Sequence, residues 1–168
     1  MSVLIAGSLT MTVVLIAGCK SDDGPNLEGF LREAERLDRA HEASATPLRE
    51  TLGTLMGALQ PKDLVTPDLK QTLATLFEQE EKLAGEIEKI ETPDEATGVR
   101  DEAVNSLRTE AEFGRKLAAG ITPTTTFEEL TGLFESEEAV QLESRRTNAC
   151  AGLQDLADKS GIAVDMSC

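Results

Sequence analysis

Past residue 25 the apolar positions recur every three or four residues, the period of a helix with one buried face. Leu27, Phe30, Leu31, Ala34, Leu37, Leu48, Leu52, Leu55, Met56 and Leu59 keep one phase through Pro47. Proline lacks the amide proton that a helix interior needs. The pattern therefore predicts either one long kinked helix or two collinear helices broken at Thr46-Pro47. A second stripe, Leu69, Leu73, Leu76, Leu83, Ile87 and Ile90, is a nearly unbroken heptad seam. A third presents Ala96, Val99, Ala103, Leu107, Ala111, Leu117 and Ile121. A fourth turns Val140, Cys150, Leu153 and Ala157 inward on a helix from Glu137 to Lys159. No β-branched run alternates with period two after residue 25, so no sheet is expected.

Local capping chemistry marks the boundaries. Thr66-Pro67-Asp68 offers a cap, a proline at the first helical position and an acid facing the positive helix end. Thr92-Pro93-Asp94-Glu95 and Thr126-Phe127-Glu128-Glu129 both have the spacing of a capping box. Ser136 is placed to cap the last long helix, and Gly161 suits the left-handed residue that ends it. Short connections between long helices favour antiparallel neighbours. The expected fold is all-α: an up-down-up-down four-helix bundle with an accessory helix over 127–134 and a C-terminal tail folded back on the last helix.

The N-terminus has a different pattern. Val3 to Ala17 is apolar apart from Gly7, Ser8, Thr10 and Thr12, and no charged side chain precedes Lys20. As a helix it would span about 22 Å, short of the ~30 Å hydrocarbon layer. It closes on Leu15-Ile16-Ala17-Gly18-Cys19. This junction resembles a bacterial lipobox, the small-residue pattern after which a signal peptide is cut and the new N-terminal cysteine is acylated. The resemblance covers residues 1–19 and implies lipid on Cys19 and a signal peptide over 1–18. Residues 19–25 become a tether and 26–168 the helical domain. An ordinary cleaved signal peptide and an uncut, tilted anchor are the competing readings; Met1 to Gly18 has neither the Lys nor the Arg that signal n-regions usually carry. The resemblance further implies an exported protein, held on the outer face of the cytoplasmic membrane or on an outer membrane.

Charge narrows the partners. A formal net charge of −15 repels nucleic-acid phosphates and anionic headgroups, so no nucleic-acid partner is expected and membrane attachment falls to the lipid. There is no Trp and no Tyr, the faces on which sugars, bases and quaternary amines usually stack. With Cys19 assigned to the lipobox, Cys150 and Cys168 are left as an even pair in an oxidising compartment, and a disulfide between them is expected. The tail from Gly161 is long enough to reach back to Cys150.

Few residues carry recognisable chemistry. A di-iron bundle needs two Glu-x-x-His motifs, and His41 is the sole histidine. His41 falls on the inward phase of the first helix, and Glu80 fills the one polar gap in the second seam, between Leu76 and Leu83. In an antiparallel hairpin turning near residue 63 the two lie within ~7.5 Å of axial rise, close enough for a buried polar pair or one hydrated ion. The blander reading has His41 partly exposed and Glu80 reaching solvent, because isolated polar seam residues more often set register. The acids around Glu78–Glu91 alternate with Lys82 and Lys89 on a helix, the pattern of a solvated face. No nucleophile elbow, phosphate loop or dinucleotide fingerprint occurs. The expectation is a noncatalytic, cofactor-free lipoprotein acting through protein contacts or as an envelope component. The alternative is a bundle that holds a small ligand or metal near His41.

Overall fold

The computed structural model describes residues 25–166. Within them the chain forms α1 (Leu27–Gly57), α2 (Pro67–Ile87), a 3-10 turn (Asp94–Ala96), α3 (Thr97–Gly120), α4 (Phe127–Phe134) and α5 (Glu137–Ser160). The fold is all-α, and the only extended pairing among the described residues is an isolated bridge between Leu64 and Thr126. No described helix is long and apolar enough to cross a membrane.

Most helix starts follow their local capping chemistry. The Thr66 hydroxyl accepts from the Leu69 amide, the Ser136 hydroxyl from the Ala139 amide, and Thr126 with Glu129 forms a complete reciprocal box. The Thr92 box does not form. Its hydroxyl donates to the Ile90 carbonyl at 2.8 Å, and a tight 3-10 turn carries Ala96 into full burial ahead of α3. Pro47 lies inside a continuous α1 about 46 Å long. Around it, the Thr46 hydroxyl donates to the Glu42 carbonyl, and Arg49 grips both Glu42 carboxylate oxygens at 2.8 and 2.7 Å. This clamp spans the turn in which proline withholds its backbone donor.

α1 packs on α2, α2 on α3 and α3 on α5, whereas the α1 and α5 backbones come close at few places and the two helices meet through side chains. Near the start of α1 the core is Phe30, Leu31, Ala34, Ala103, Leu153 and Ala157. A second group, Leu37, Leu83, Ile87, Val104 and Leu107, adjoins it along the helices. Leu69, Leu73, Phe77, Leu117, Ile121 and Leu130 form the core at the far end. In α2 it is Phe77, not Leu76, that is buried. Its ring lies against the α3 backbone at Gly114, where a Cβ would overlap the ring carbon Cγ.

α5 turns Leu153 and Ala157 inward as expected but differs at Val140 and Cys150. Val140 is 55% exposed and Cys150 only half-buried; the inward residues are Leu142, Ala149, Leu153 and Ala157, with Arg146 between the first two. Alanines at 149 and 157 let the neighbouring helices approach, and Arg146 reaches buried carboxylates, so this phase satisfies packing and charge together. Gly161 has φ 67°, and the amide of Ile162 bonds the Ala157 carbonyl, as a left-handed helix end requires. The tail then doubles back. The Gln154 side chain donates to the Val164 carbonyl and accepts from the Met166 amide, Asp165 donates its amide to Glu35, and Met166 is buried.

Candidate functional site

Each of the four long helices contributes one ionisable side chain to a single cluster. His41 stands on the inward face of α1 between Leu37 and Ala45, and Glu80 on α2 between Phe77 and Leu83. Glu110 precedes buried Ala111 on α3, and Arg146 lies on α5 between Leu142 and Ala149. His41, Glu80 and Arg146 interrupt the apolar stripes of their helices, and Glu110 flanks that of α3. His41 Nε2 is 3.2 Å from Glu80 Oε1, with the two side chains 5% and 2% exposed. Arg146 Nη1 sits 3.8 Å from the same Glu80 oxygen and donates a hydrogen bond to Glu110 Oε1 at 3.3 Å. Glu80 Oε1 is therefore the junction of the network. Glu80 Oε2 and Glu110 Oε2 are buried and have no hydrogen-bond partner among the described residues.

The electrostatics follow from this arrangement. With both carboxylates ionised, Arg146 charged and His41 neutral, the cluster carries one net negative charge away from bulk water. Burial pushes the Glu110 carboxyl above the usual carboxylate range; Arg146 pulls it back in part, and the charge of Glu80 adds to the upward push. Burial works against the Arg146 cation, but Glu110 and Glu80 outweigh it and hold the guanidinium above its ordinary value. Outside the cluster, the Arg49 hydrogen bonds hold Glu42 below the usual range.

A cleft of about 310 Å³ opens beside the cluster, with His41 and Arg146 in its wall and Leu83, Leu107 and Leu153 among its apolar lining. It exists because Ala34, Ala103 and Ala149 present small side chains where α1, α3 and α5 converge. A smaller cleft of about 200 Å³ lies on the other side of His41, bounded by Ser44 and Gln79. The Ser44 hydroxyl there bonds the His41 carbonyl and Gln79 Oε1, not the imidazole. Chemically the cluster can accept, donate and share protons at a solvent-reachable edge. Among the described residues no three His, Cys, Asp or Glu side chains converge to hold a metal ion.

Of the residues singled out in the sequence, His41 and Glu80 meet. Cys150 is disulfide-bonded, while Cys168, its expected partner, lies outside the described residues. Cys19 and the signal-peptide assignment also lie outside them. Glu110 and Arg146 were not expected. Arg146 falls in the 142-146-149-153-157 spacing of the α5 inward face, a weak stripe that Val140 outcompetes in the sequence. No family model, curated protein or solved structure matches the chain.

Proposed function

We propose that the chain is an exported, lipid-anchored, noncatalytic protein whose acidic helical domain acts by contact with other envelope components. The observation that carries this reading is the Leu15–Cys19 junction, followed so soon by a folded domain. α1 opens at Leu27, capped by the Asn26 side chain, so the segment from Lys20 to Pro25 is a tether of at most about 20 Å. Such a tether keeps the bundle against its membrane, on acyl chains attached at Cys19. Two features support the compartment and the architecture. Cys150 is disulfide-bonded, as suits an oxidising environment, and its partner in this reading is Cys168. The packing order α1–α2–α3–α5 with short connections suits an antiparallel up-down-up-down four-helix bundle, α4 being the accessory helix.

Intact-mass analysis of the protein from a membrane fraction tests the proposal. The expected species begins at acylated Cys19, and Cys19→Ser is expected to abolish lipid attachment. A soluble chain that keeps residues 1–18 overturns it. The cleft of about 310 Å³ supports a second reading, in which the bundle holds a small ligand beside His41. A thermal-shift screen separates the two, because tight binding by one compound raises the melting temperature in a concentration-dependent way.

A further inference from the structure

While His41 is unprotonated, the carboxylates of the cluster outnumber its cations by one. Two carboxylates share a single guanidinium, and each keeps one buried oxygen that accepts nothing. A buried acceptor without a donor is destabilising, and more so when it is charged. The four residues come from four helices, two of which, α1 and α5, have few close backbone approaches and share only the apolar core near the start of α1. Whatever settles this charge therefore bears on how the helices are held together. We infer that the His41–Glu80–Arg146–Glu110 cluster is a proton-binding site, which takes up one proton as pH falls and stabilises the fold when occupied.

A hydronium ion reaching the cleft gives up one proton, water leaves, and the cluster passes from one net negative charge to none. Glu110 is the receiving group: its Oε2 is unbonded, and the carboxylic acid formed there is a donor where none existed. The groups facing it all bear on this step. From α1 come His41 and, more remotely, Glu42, whose charge also favours the Arg146 cation; α2 contributes Glu80 and α5 Arg146. Asp38 and Glu143 add further acid to the adjoining cleft wall. Arg146 is the one cation of the cluster, and it is divided between two carboxylates.

The direction of the stability effect follows from linkage. Glu110 titrates above its unfolded value in the folded chain, so its contribution is full below the ordinary carboxylate range and is lost as pH rises through the raised value. Glu42 is shifted the other way, and its contribution is lost only as pH falls through its depressed value, below this window. The inference stands independently of lipid attachment.

Two readouts on the full-length chain test it. Carboxyl-labelled glutamate gives the titration of every Glu, and His41, as the sole histidine, gives one imidazole resonance beside the cluster. One carboxyl is expected to titrate clearly above the others, with the His41 signal sensing the same inflection; carboxyls all titrating within the ordinary range overturn the inference. In thermal melts scanned from acid to alkaline pH, the wild type and the exposed control Glu112→Gln are expected to lose stability as pH rises through the titration measured for that carboxyl. Glu110→Gln is expected to lose less than half as much. A Glu110→Gln variant with the wild-type pH dependence overturns the proposal, and if that variant fails to fold, the wild-type titration decides alone.

Discussion

Arg146→Leu removes the only guanidinium in the cluster while keeping most of the side chain's apolar bulk. Arg146 Nη1 lies 3.3 Å from Glu110 Oε1 and 3.8 Å from Glu80 Oε1. At an effective dielectric of about 20 these distances correspond to gross attractions of about 5 and about 4 kcal/mol. Most of that is offset, because the Arg146 side chain is 39% exposed and keeps part of its hydration. What remains is the penalty of leaving carboxylates buried without a partner, which for a broken buried pair is about 3–5 kcal/mol. Partial exposure places Arg146 at the lower end, about 3 kcal/mol, a melting-temperature loss of about 6–12 °C for a chain of this size. The loss depends on pH. Below the raised titration of Glu110 that carboxyl accepts a proton, so one of the two stranded charges disappears and the cost falls. Urea unfolding on the acid and alkaline sides of the measured Glu110 titration gives both values, and the mutational loss is expected to be clearly larger at the higher pH. A loss below about 1 kcal/mol, the range of exposed ion pairs, or the same loss at both pH values would refute the reasoning.

Two further outcomes follow from the same packing. His41→Leu alone strands Glu80 Oε1 with Arg146 as its remaining partner and is expected to cost about 1–3 kcal/mol. In the double variant His41→Leu with Glu80→Leu, Arg146 is left paired one-to-one with Glu110, and stability is expected to return to wild type or above. Additive losses across that urea-unfolding cycle would show that the two side chains do not act as a pair. Gly114→Ala drives a methyl into the Phe77 ring and is expected to lose about 2 kcal/mol net, overpacking exceeding the gain in helix propensity. Gly85→Ala meets nothing within 4 Å and is expected to gain about 0.5–1 kcal/mol. Equal melting shifts in the two alanine variants would contradict the placement of Phe77.

The features legible in the sequence are those set by neighbours along the chain. Thr66, Thr126, Ser136 and Gly161 behave as their local chemistry dictates, because a capping hydroxyl or a left-handed glycine acts within one turn. Thr92 departs from its pattern because burying Ala96 outweighs one cap hydrogen bond, a tertiary effect absent from the four-residue motif. His41 and Glu80 were findable because each interrupts an otherwise apolar stripe, and a polar residue in such a stripe must meet a partner or reach water. Glu110 and Arg146 were not findable in the same way. The inward face of α5 consists of two leucines, two alanines and an arginine, so its apolar signal is too weak to fix the helix's rotation, and Val140 pulls the reading out of phase. Glu110 lies beside Ala111, and the smallest apolar side chain marks a buried face only faintly. The rotation of α5 is instead determined by complementarity between helices. Arg146 must point where Glu80 and Glu110 already lie, and no property of residues 137–160 taken alone contains that requirement. The same fact gives the cluster its importance to the fold: where side-chain hydrophobicity specifies a helix's orientation poorly, a half-buried cation with carboxylate partners on two other helices specifies it better.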